Sequence, residues 1–166
     1  MLRPGLLYFA YGCNMDPGFL SEQVGLSLAR GWPARVDGWR LAFNKGGEEE
    51  DGHLVVANMV PDEGCHTLGV VYRLSQEALT RLDTFEDVPL HYRRANLWVE
   101  PLSHQARQAA VAYVAQPKWV VEQGQPDKTY LNLLLRGARM HGLPLEYLNW
   151  VHATAFGTAR EPWAVE

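Results

Sequence analysis

The sequence predicts an α+β fold, a curled and barrel-like β-sheet of about six mostly antiparallel strands with helices beside it. Three observations lead to this prediction. Apolar and β-branched stretches recur along the chain, short polar connections separate most of them, and helical periodicity is confined to separate segments. A chain of 166 residues with 47% hydrophobic side chains has the size of one globular domain, so we expect a single domain over 1–166.

The strands are predicted from short apolar or alternating runs that end at turn residues. The six runs are 6–11, 35–45, 53–61, 66–74, 91–100 and 107–115. The acidic, glycine-containing segment 44–53 is interpreted as a hairpin connection, with a lid as the alternative. The stretch 61–65 is interpreted as a turn, and a polar turn near Ser103 joins the last two strands. Connections this short favour antiparallel pairing.

The helices are predicted from apolar residues that recur every three or four positions. The predicted segments are 75–88, 127–142 and 144–156, with a further helix beginning near Asp16 and Pro17. In the segment 127–142, Gly142 is a stop signal, and Pro144 then fits the first turn of the last helix.

Composition excludes several classes of protein. The net charge is −4 and no basic stripe runs through the chain, so we expect no nucleic-acid partner. No apolar run reaches the ~20 residues of a membrane span, and no cationic-then-apolar leader precedes the first strand. We therefore expect a cytoplasmic protein whose two cysteines are reduced thiols. Cys65 and His66 lack companion ligands, so no metal site is expected.

The first strand ends in the sequence Gly12-Cys13-Asn14. Gly12 and Asn14 both tolerate positive φ, which permits a sharp turn. Successive backbone N–H groups in such a turn form a concavity that binds a carboxylate or an oxyanion. The alternative is an ordinary connection between a strand and a helix.

Glu86 stands on the apolar side of its predicted helix. On a helical wheel it falls in the same arc as Ala78, Leu79, Leu82 and Phe85. A buried carboxylate has a raised pKa, which makes it a candidate general acid and base. The alternative is that Glu86 lies at a frayed helix end and reaches solvent, or caps the turn that follows.

Four segments of the chain, in order, resemble the γ-glutamylcyclotransferase-like (AIG2-like) proteins. "YFAYGCNM" is similar to the family signature "YFAYGSNM", and "LDTFEDV" to the segment "LDxxEGV" that carries the family's catalytic glutamate. "HYRRANLWVE" has the tyrosine that begins the next strand. "PDKTYLNLLLRGARMHGLPLEYLNWV" resembles the Pro-x-x-x-Tyr helix followed by Gly-Leu-Pro-x-x-Tyr.

The resemblance implies a mixed fold around a polar cavity and an enzyme, a transferase or lyase, that needs no cofactor. It implies that a small-molecule γ-glutamyl substrate cyclises to 5-oxoproline and that the acid/base residue is Glu86. The expected substrate contacts are Tyr11, Gly12, Cys13, Asn14, Tyr92, Tyr130 and Tyr147. The leaving group remains open between an amine, an amino acid, the remainder of glutathione and a carrier. The turn after the first strand binds either the α-carboxylate or the oxyanion.

The chain departs from the family pattern where Cys13 replaces serine and Asp87 replaces glycine. Two other functions remain as alternatives. One is a non-catalytic module that binds γ-glutamyl compounds or anions. The other is a hydrolase that uses Cys13 as nucleophile, which would require a histidine base close to the thiol.

Overall fold

The structure, a computed structural model, describes residues 5–47 and 54–164, which form a five-stranded barrel with helices around it. The strands are β1 (Leu6–Ala10), β2 (Trp32–Lys45), β3 (Leu54–Leu74), β4 (Tyr92–Pro101), β5 (Gln108–Ala115) and β6 (Gln125–Pro126). The helices are α1 (Pro17–Val24), α2 (Gln76–Phe85), α3 (Lys128–Met140) and α4 (Leu145–Ala155). Short 3₁₀ turns occupy Cys13–Met15 and Pro117–Trp119.

The barrel closes because β1 pairs with a strand on each side. The strand order is β1-β5-β4-β2-β3, and β3 pairs again with β1, while β6 adds to the start of β3. The pairings of β1 with β5 and of β3 with β6 are parallel, and the others are antiparallel. The predicted α+β class and its mostly antiparallel, barrel-like sheet are therefore confirmed.

The segments 53–61 and 66–74 belong to one long strand, so the prediction of two strands joined by a turn is wrong. Trp39 pairs with Pro61 and Asp37 pairs with His66. Residues 62–65 therefore bulge opposite Gly38, and the chain then resumes its pairing with the same neighbour. Both halves of β3 pair with the continuous β2, so the chain bends at this point without reversing.

The connection between β2 and β3 joins neighbouring antiparallel strands, as predicted. Lys45 at the end of β2 pairs with Val56 of β3. The suggestion of a lid falls mainly on residues 48–53, which lie outside the described residues, as does the predicted start of the strand at His53.

Side-chain caps define the beginnings of three helices. Asp16, Ser75 and Asp127 accept hydrogen bonds from backbone N–H groups in the first turns of α1, α2 and α3. Apolar faces then bury against the barrel, as Leu79 and Leu82 do from α2. No helix within the described residues combines the length and the apolar character needed to cross a membrane.

Candidate active site

The corner after β1 is built around close backbone contacts. Neither Gly12 nor Asn14 uses the left-handed conformation that these residues tolerate, since Gly12 has φ −115° and ψ −142°. The glycine at position 12 instead allows a close approach. A Cβ there would lie 2.7 Å from the hydroxyl oxygen of Tyr130. The beginning of α3 therefore packs directly on the corner.

Three further contacts hold the corner in place. A Cβ on Gly137 of α3 would lie 2.2 Å from the carbonyl carbon of Met15, so helix and turn touch through their backbones. The Tyr72 hydroxyl donates to the Met15 carbonyl oxygen at 2.8 Å. The Arg136 Nε donates to the Asp16 carboxylate at 2.6 Å. The corner is thus fixed from α3 and from β3.

Glu86 caps the C-terminus of α2 and points into the barrel mouth. Its backbone N–H donates to the Leu82 carbonyl oxygen at 2.8 Å. The next residue, Asp87, has φ +52° and ends the helix. The Oε1 atom of Glu86 accepts a hydrogen bond from Asn14 Nδ2 at 3.0 Å. The residue therefore occupies a helix end, and its carboxylate faces the corner. The helical wheel predicts only that it lies on the apolar side of α2.

Asn14 joins the corner to the carboxylate. Its Nδ2 donates both to Glu86 and to the Tyr8 hydroxyl oxygen, each at 3.0 Å. Asn14 is only 4% exposed, and its Oδ1 atom has no hydrogen-bond partner within the described residues. A buried acceptor of this kind carries a free-energy cost that a donor on a ligand would remove.

The electrostatic environment of Glu86 suits proton transfer near neutral pH. Burial raises the pKa of Glu86 from its ordinary 4.5 to about 7, although the Asn14 hydrogen bond and the charge of Lys45 partly oppose the increase. Burial and the negative charge of Glu86 also raise the pKa of Tyr8 and Tyr11 above that of a free phenol. These tyrosines are therefore neutral hydroxyl groups at neutral pH.

The corner, the Glu86 carboxylate and the tyrosines around it line one cavity of about 410 Å³. Its walls are Tyr8, Tyr11, Gly12, Cys13, Asn14, Phe19, Lys45, Val56, Ala57, Phe85, Glu86, Asp87, His91, Tyr92, Tyr113 and Tyr130. Seven of the eight residues predicted from the sequence are among them. A larger cavity of about 610 Å³ lies between Arg40 and Trp150 and contains none of the predicted residues. The smaller cavity is therefore the candidate site.

Tyr147 is the exception, and the prediction that it contacts substrate is corrected by the structure. Its side chain is fully buried in the core, where the ring packs against Trp150 and Trp163. Its hydroxyl donates to the Leu68 carbonyl oxygen at 3.2 Å. These contacts place Tyr147 between α4 and the barrel, away from the cavity wall.

The remaining predicted tyrosines have their hydroxyl groups directed to backbone atoms of the walls. Tyr11 donates to the Tyr113 carbonyl oxygen at 2.5 Å. Tyr130 accepts from the Ala57 N–H at 3.0 Å. The Tyr92 hydroxyl is 3.5 Å from the Ala57 carbonyl oxygen. The accepting role of Tyr130 leaves its proton available to a group in the cavity or to the neighbouring Cys13 sulfur.

Cys13 lies in the cavity wall as a neutral thiol. Burial, followed by the charge of Glu86, raises its pKa to about 12. His91 lines the same cavity, where its ring nitrogens contact Lys45 and Asp87, at 3.0 and 3.6 Å. The arrangement lacks the thiolate that nucleophilic catalysis requires.

Lys45 is the main wall residue that the sequence reasoning missed. It is only 7% exposed and ends β2. The strand alternation contains the signal, because Leu41, Phe43 and Lys45 share the buried face. Among the described residues there is no cluster of three or more His, Cys, Asp or Glu side chains that could hold a metal ion.

A sequence profile of the AIG2-like family matches residues 66–151. The chain is 28% identical over 148 residues to the γ-glutamylcyclotransferase of Homo sapiens, with 85% of this chain and 74% of that protein covered. The γ-glutamylcyclotransferase of Bos taurus has the same identity and coverage.

Solved structures show the same architecture. A γ-glutamyl cyclotransferase superposes with a TM-score of 0.79 at 26% identity, covering 90% of this chain and 87% of that one. A yeast γ-glutamyl cyclotransferase described as specific to glutathione has a TM-score of 0.67 at 14% identity, covering 95% and 98% of the two chains. The yeast protein shares the fold alone.

Proposed function

The chain belongs to the AIG2-like family, and we propose that it is a γ-glutamylcyclotransferase. The proposed reaction converts a γ-glutamyl amide or peptide into 5-oxoproline and a free amine or amino acid. The single observation that carries the proposal is the position of the Glu86 carboxylate in the cavity. This carboxylate is hydrogen-bonded to Asn14 of the corner and has a pKa of about 7. The named relatives support the general type of reaction.

Glu86 carries the proton in this mechanism. Its carboxylate accepts a proton from the substrate α-ammonium, and the freed amine attacks the γ-carbonyl carbon to form the ring C–N bond. Glu86 then returns the proton to the leaving nitrogen as the old C–N bond breaks. The attacking nitrogen loses a second proton as the ring closes, and the released amine or amino acid takes up that proton. A pKa near the working pH suits a group that must act first as base and then as acid.

The cavity walls supply orientation and charge stabilisation. Nucleophile and electrophile lie in one molecule, so the reaction requires no cofactor. Holding that molecule bent contributes about 7–11 kcal/mol when the reacting atoms are well aligned. We propose that Tyr11, Gly12, Cys13 and Asn14 hold the glutamyl group. Their backbone N–H groups bind either its α-carboxylate or the oxyanion that develops on the γ-carbonyl.

Two further tyrosines of the cavity wall, Tyr92 and Tyr130, enclose the reacting carbon chain in this proposal. Asn14 also takes part through its Oδ1 atom, which has no partner in the part of the chain that the structure describes. This oxygen belongs to the same side-chain amide as the Nδ2 group that donates to Glu86. An α-ammonium between this oxygen and the carboxylate would satisfy both acceptors.

The test is turnover of a panel of γ-glutamyl dipeptides, γ-glutamyl amines and glutathione, with 5-oxoproline measured by mass spectrometry. We expect product from at least one compound and, for the Glu86→Gln variant, a loss of turnover of at least 100-fold, as is typical of a removed acid/base group. The control is Glu22→Gln, which changes an exposed glutamate of α1 in the same way. Wild-type rates in the Glu86→Gln variant would refute the assignment.

The same panel decides between the proposal and its alternatives. Tight binding without product would identify a γ-glutamyl-binding module. A cysteine hydrolase is disfavoured because the Cys13 thiol has a pKa of about 12. We also propose a cytoplasmic location, which fractionation of cells expressing the protein would test.

A further inference from the structure

Tyr8 brings a phenol hydroxyl into the cavity wall from the middle of β1. Its side chain is buried, and its ring packs against the Tyr113 ring with centroids 5.7 Å apart. Its backbone pairs with Tyr72 of β3 and with Val111 of β5, and these pairings of β1 close the barrel. The hydroxyl is therefore attached to a part of the chain that both neighbouring strands restrain.

The Tyr8 hydroxyl meets the amide nitrogen that binds Glu86. A carboxylate can only accept hydrogen bonds, so Asn14 must turn its Nδ2 group toward Glu86, as it does at 3.0 Å. The same nitrogen lies 3.0 Å from the Tyr8 hydroxyl oxygen, which accepts its second N–H. One amide nitrogen thus serves two acceptors, one on β1 and one at the end of α2.

Two acceptors on one nitrogen fix the orientation of the whole Asn14 amide. The N–H bonds and the carbonyl group of an amide lie in one plane, so their directions are set together. With a single acceptor the amide would pivot about that hydrogen bond, since the last side-chain torsion of asparagine is broad. Tyr8 therefore determines where Oδ1 points and how directly the other N–H meets the Glu86 carboxylate.

We propose that Tyr8 is a positioning residue, which acts through Asn14 to hold Nδ2 on the Glu86 carboxylate and to direct Oδ1 toward the substrate ammonium. The part of this role that concerns the ammonium rests on the proposed function, whereas the hold on Glu86 is a property of the protein without substrate. Tyr8 transfers no proton in this role. Burial and the charge of Glu86 raise the pKa of Tyr8, so it stays a neutral hydroxyl at neutral pH.

Other titratable groups also face the Glu86 carboxylate, and the substitution that tests Tyr8 leaves all of them in place. They are Lys45 from β2, Tyr11 and Cys13 after β1, Tyr92 from β4, Tyr113 from β5 and Tyr130 from α3. Asp87 and His91 line the cavity beside them. The charge of Lys45 lowers the pKa of Glu86, and burial keeps the tyrosines and the thiol neutral. A change in the pKa of Glu86 on loss of the Tyr8 hydroxyl therefore reports on the amide.

The experiment measures the pKa of Glu86 by carbon-13 NMR of the glutamate side-chain carboxyl groups. The Glu86 signal is identified by its absence from Glu86→Gln. In Tyr8→Phe, which removes only the hydroxyl, the pKa should rise by about 0.5–1 pH unit, because the Asn14 hydrogen bond that lowers it is loosened. The matched control is Tyr147→Phe, which removes the hydroxyl of a buried tyrosine outside the cavity and should leave the pKa unchanged.

A double-mutant cycle with Asn14→Ala shows whether Tyr8 acts through the amide. Asn14→Ala alone should raise the pKa of Glu86 by about 1–2 pH units, because the hydrogen bond is lost completely. Adding Tyr8→Phe to Asn14→Ala should change the pKa no further. Equal pKa values in wild type and Tyr8→Phe, or shifts that add in the double variant, would overturn the proposal.

A second measurement serves if Asn14→Ala fails to fold by circular dichroism. The two Asn14 side-chain amide protons are then compared by NMR in wild type and Tyr8→Phe. One of the two signals should move upfield when the Tyr8 acceptor is removed. Two unchanged signals would overturn the proposal.

Turnover separates this proposal from the proposed function. With the best substrate of the γ-glutamyl panel, Tyr8→Phe should lower kcat/KM by about 10-fold, because the groups that meet the ammonium are misaligned. The midpoint of its pH profile should rise together with the pKa of Glu86. A loss of rate with an unchanged midpoint would assign Tyr8 to the structural frame and overturn its role. Product from no γ-glutamyl compound would refute the proposed function, while the NMR shift in Tyr8→Phe would still establish the hold on Glu86.

Discussion

Replacing Glu86 by glutamine should raise the free energy of unfolding above that of wild type, and this difference should be larger at alkaline pH than at acidic pH. Glutamine keeps an oxygen that accepts the Asn14 hydrogen bond, but it carries no charge. Burial raises the pKa of Glu86 from 4.5 to about 7 in the folded protein. The folded state therefore binds this proton more tightly than the unfolded state. Wild-type stability must fall as the pH rises through that window.

The magnitude follows from the two pKa values. The interval from 4.5 to about 7 corresponds to about 3 kcal/mol, because one pH unit is worth about 1.4 kcal/mol. Between about pH 5 and about pH 8, wild type should lose about 2–3 kcal/mol relative to Glu86→Gln. For a domain of this size that equals several degrees in the melting temperature.

The assay is denaturant unfolding of wild type, Glu86→Gln and the exposed control Glu22→Gln at both pH values. The difference in unfolding free energy between wild type and Glu86→Gln should widen toward alkaline pH, with the variant the more stable. The difference between wild type and Glu22→Gln should stay nearly constant. A difference between wild type and Glu86→Gln that is the same at both pH values would show that the carboxylate is solvated, and would refute the reasoning.

The other predictions concern the reaction and the frame around the site. The kcat/KM of the wild type should rise with pH and level off above a midpoint near 7, since the carboxylate of Glu86 is the active base; a flat profile over that range would contradict this role. Cys13→Ser should keep turnover close to wild type, because the thiol is neutral; near-complete loss would support thiol chemistry instead. Gly137→Ala should lower the free energy of unfolding by about 1–3 kcal/mol, since its Cβ would lie 2.2 Å from a Met15 backbone atom; thermal melting without a shift would argue against that contact. Tyr147→Phe should cost about 0.5–1.5 kcal/mol of stability through the lost hydrogen bond to Leu68, with kcat/KM unchanged.

The sequence by itself determined the features that depend on local periodicity. Strand and helix patterns predicted the α+β class, and the helical wheel of α2 predicted that Glu86 lies on the apolar side of the helix. The corner after β1 could be located because Gly12 interrupts an apolar strand. These signals repeat every two or about 3.6 residues, so they are readable without knowledge of distant contacts.

Only the tertiary structure decided what surrounds those features. Lys45 meets His91 across 46 positions of sequence, and Tyr130 meets Ala57 across 73. The segments on either side of residues 62–65 form one strand because a continuous β2 pairs with both. Tyr147 lies in the core although its local motif matches the family pattern. A hydrogen bond or a shared cavity wall between distant segments depends on barrel closure and helix docking, which local periodicity does not record.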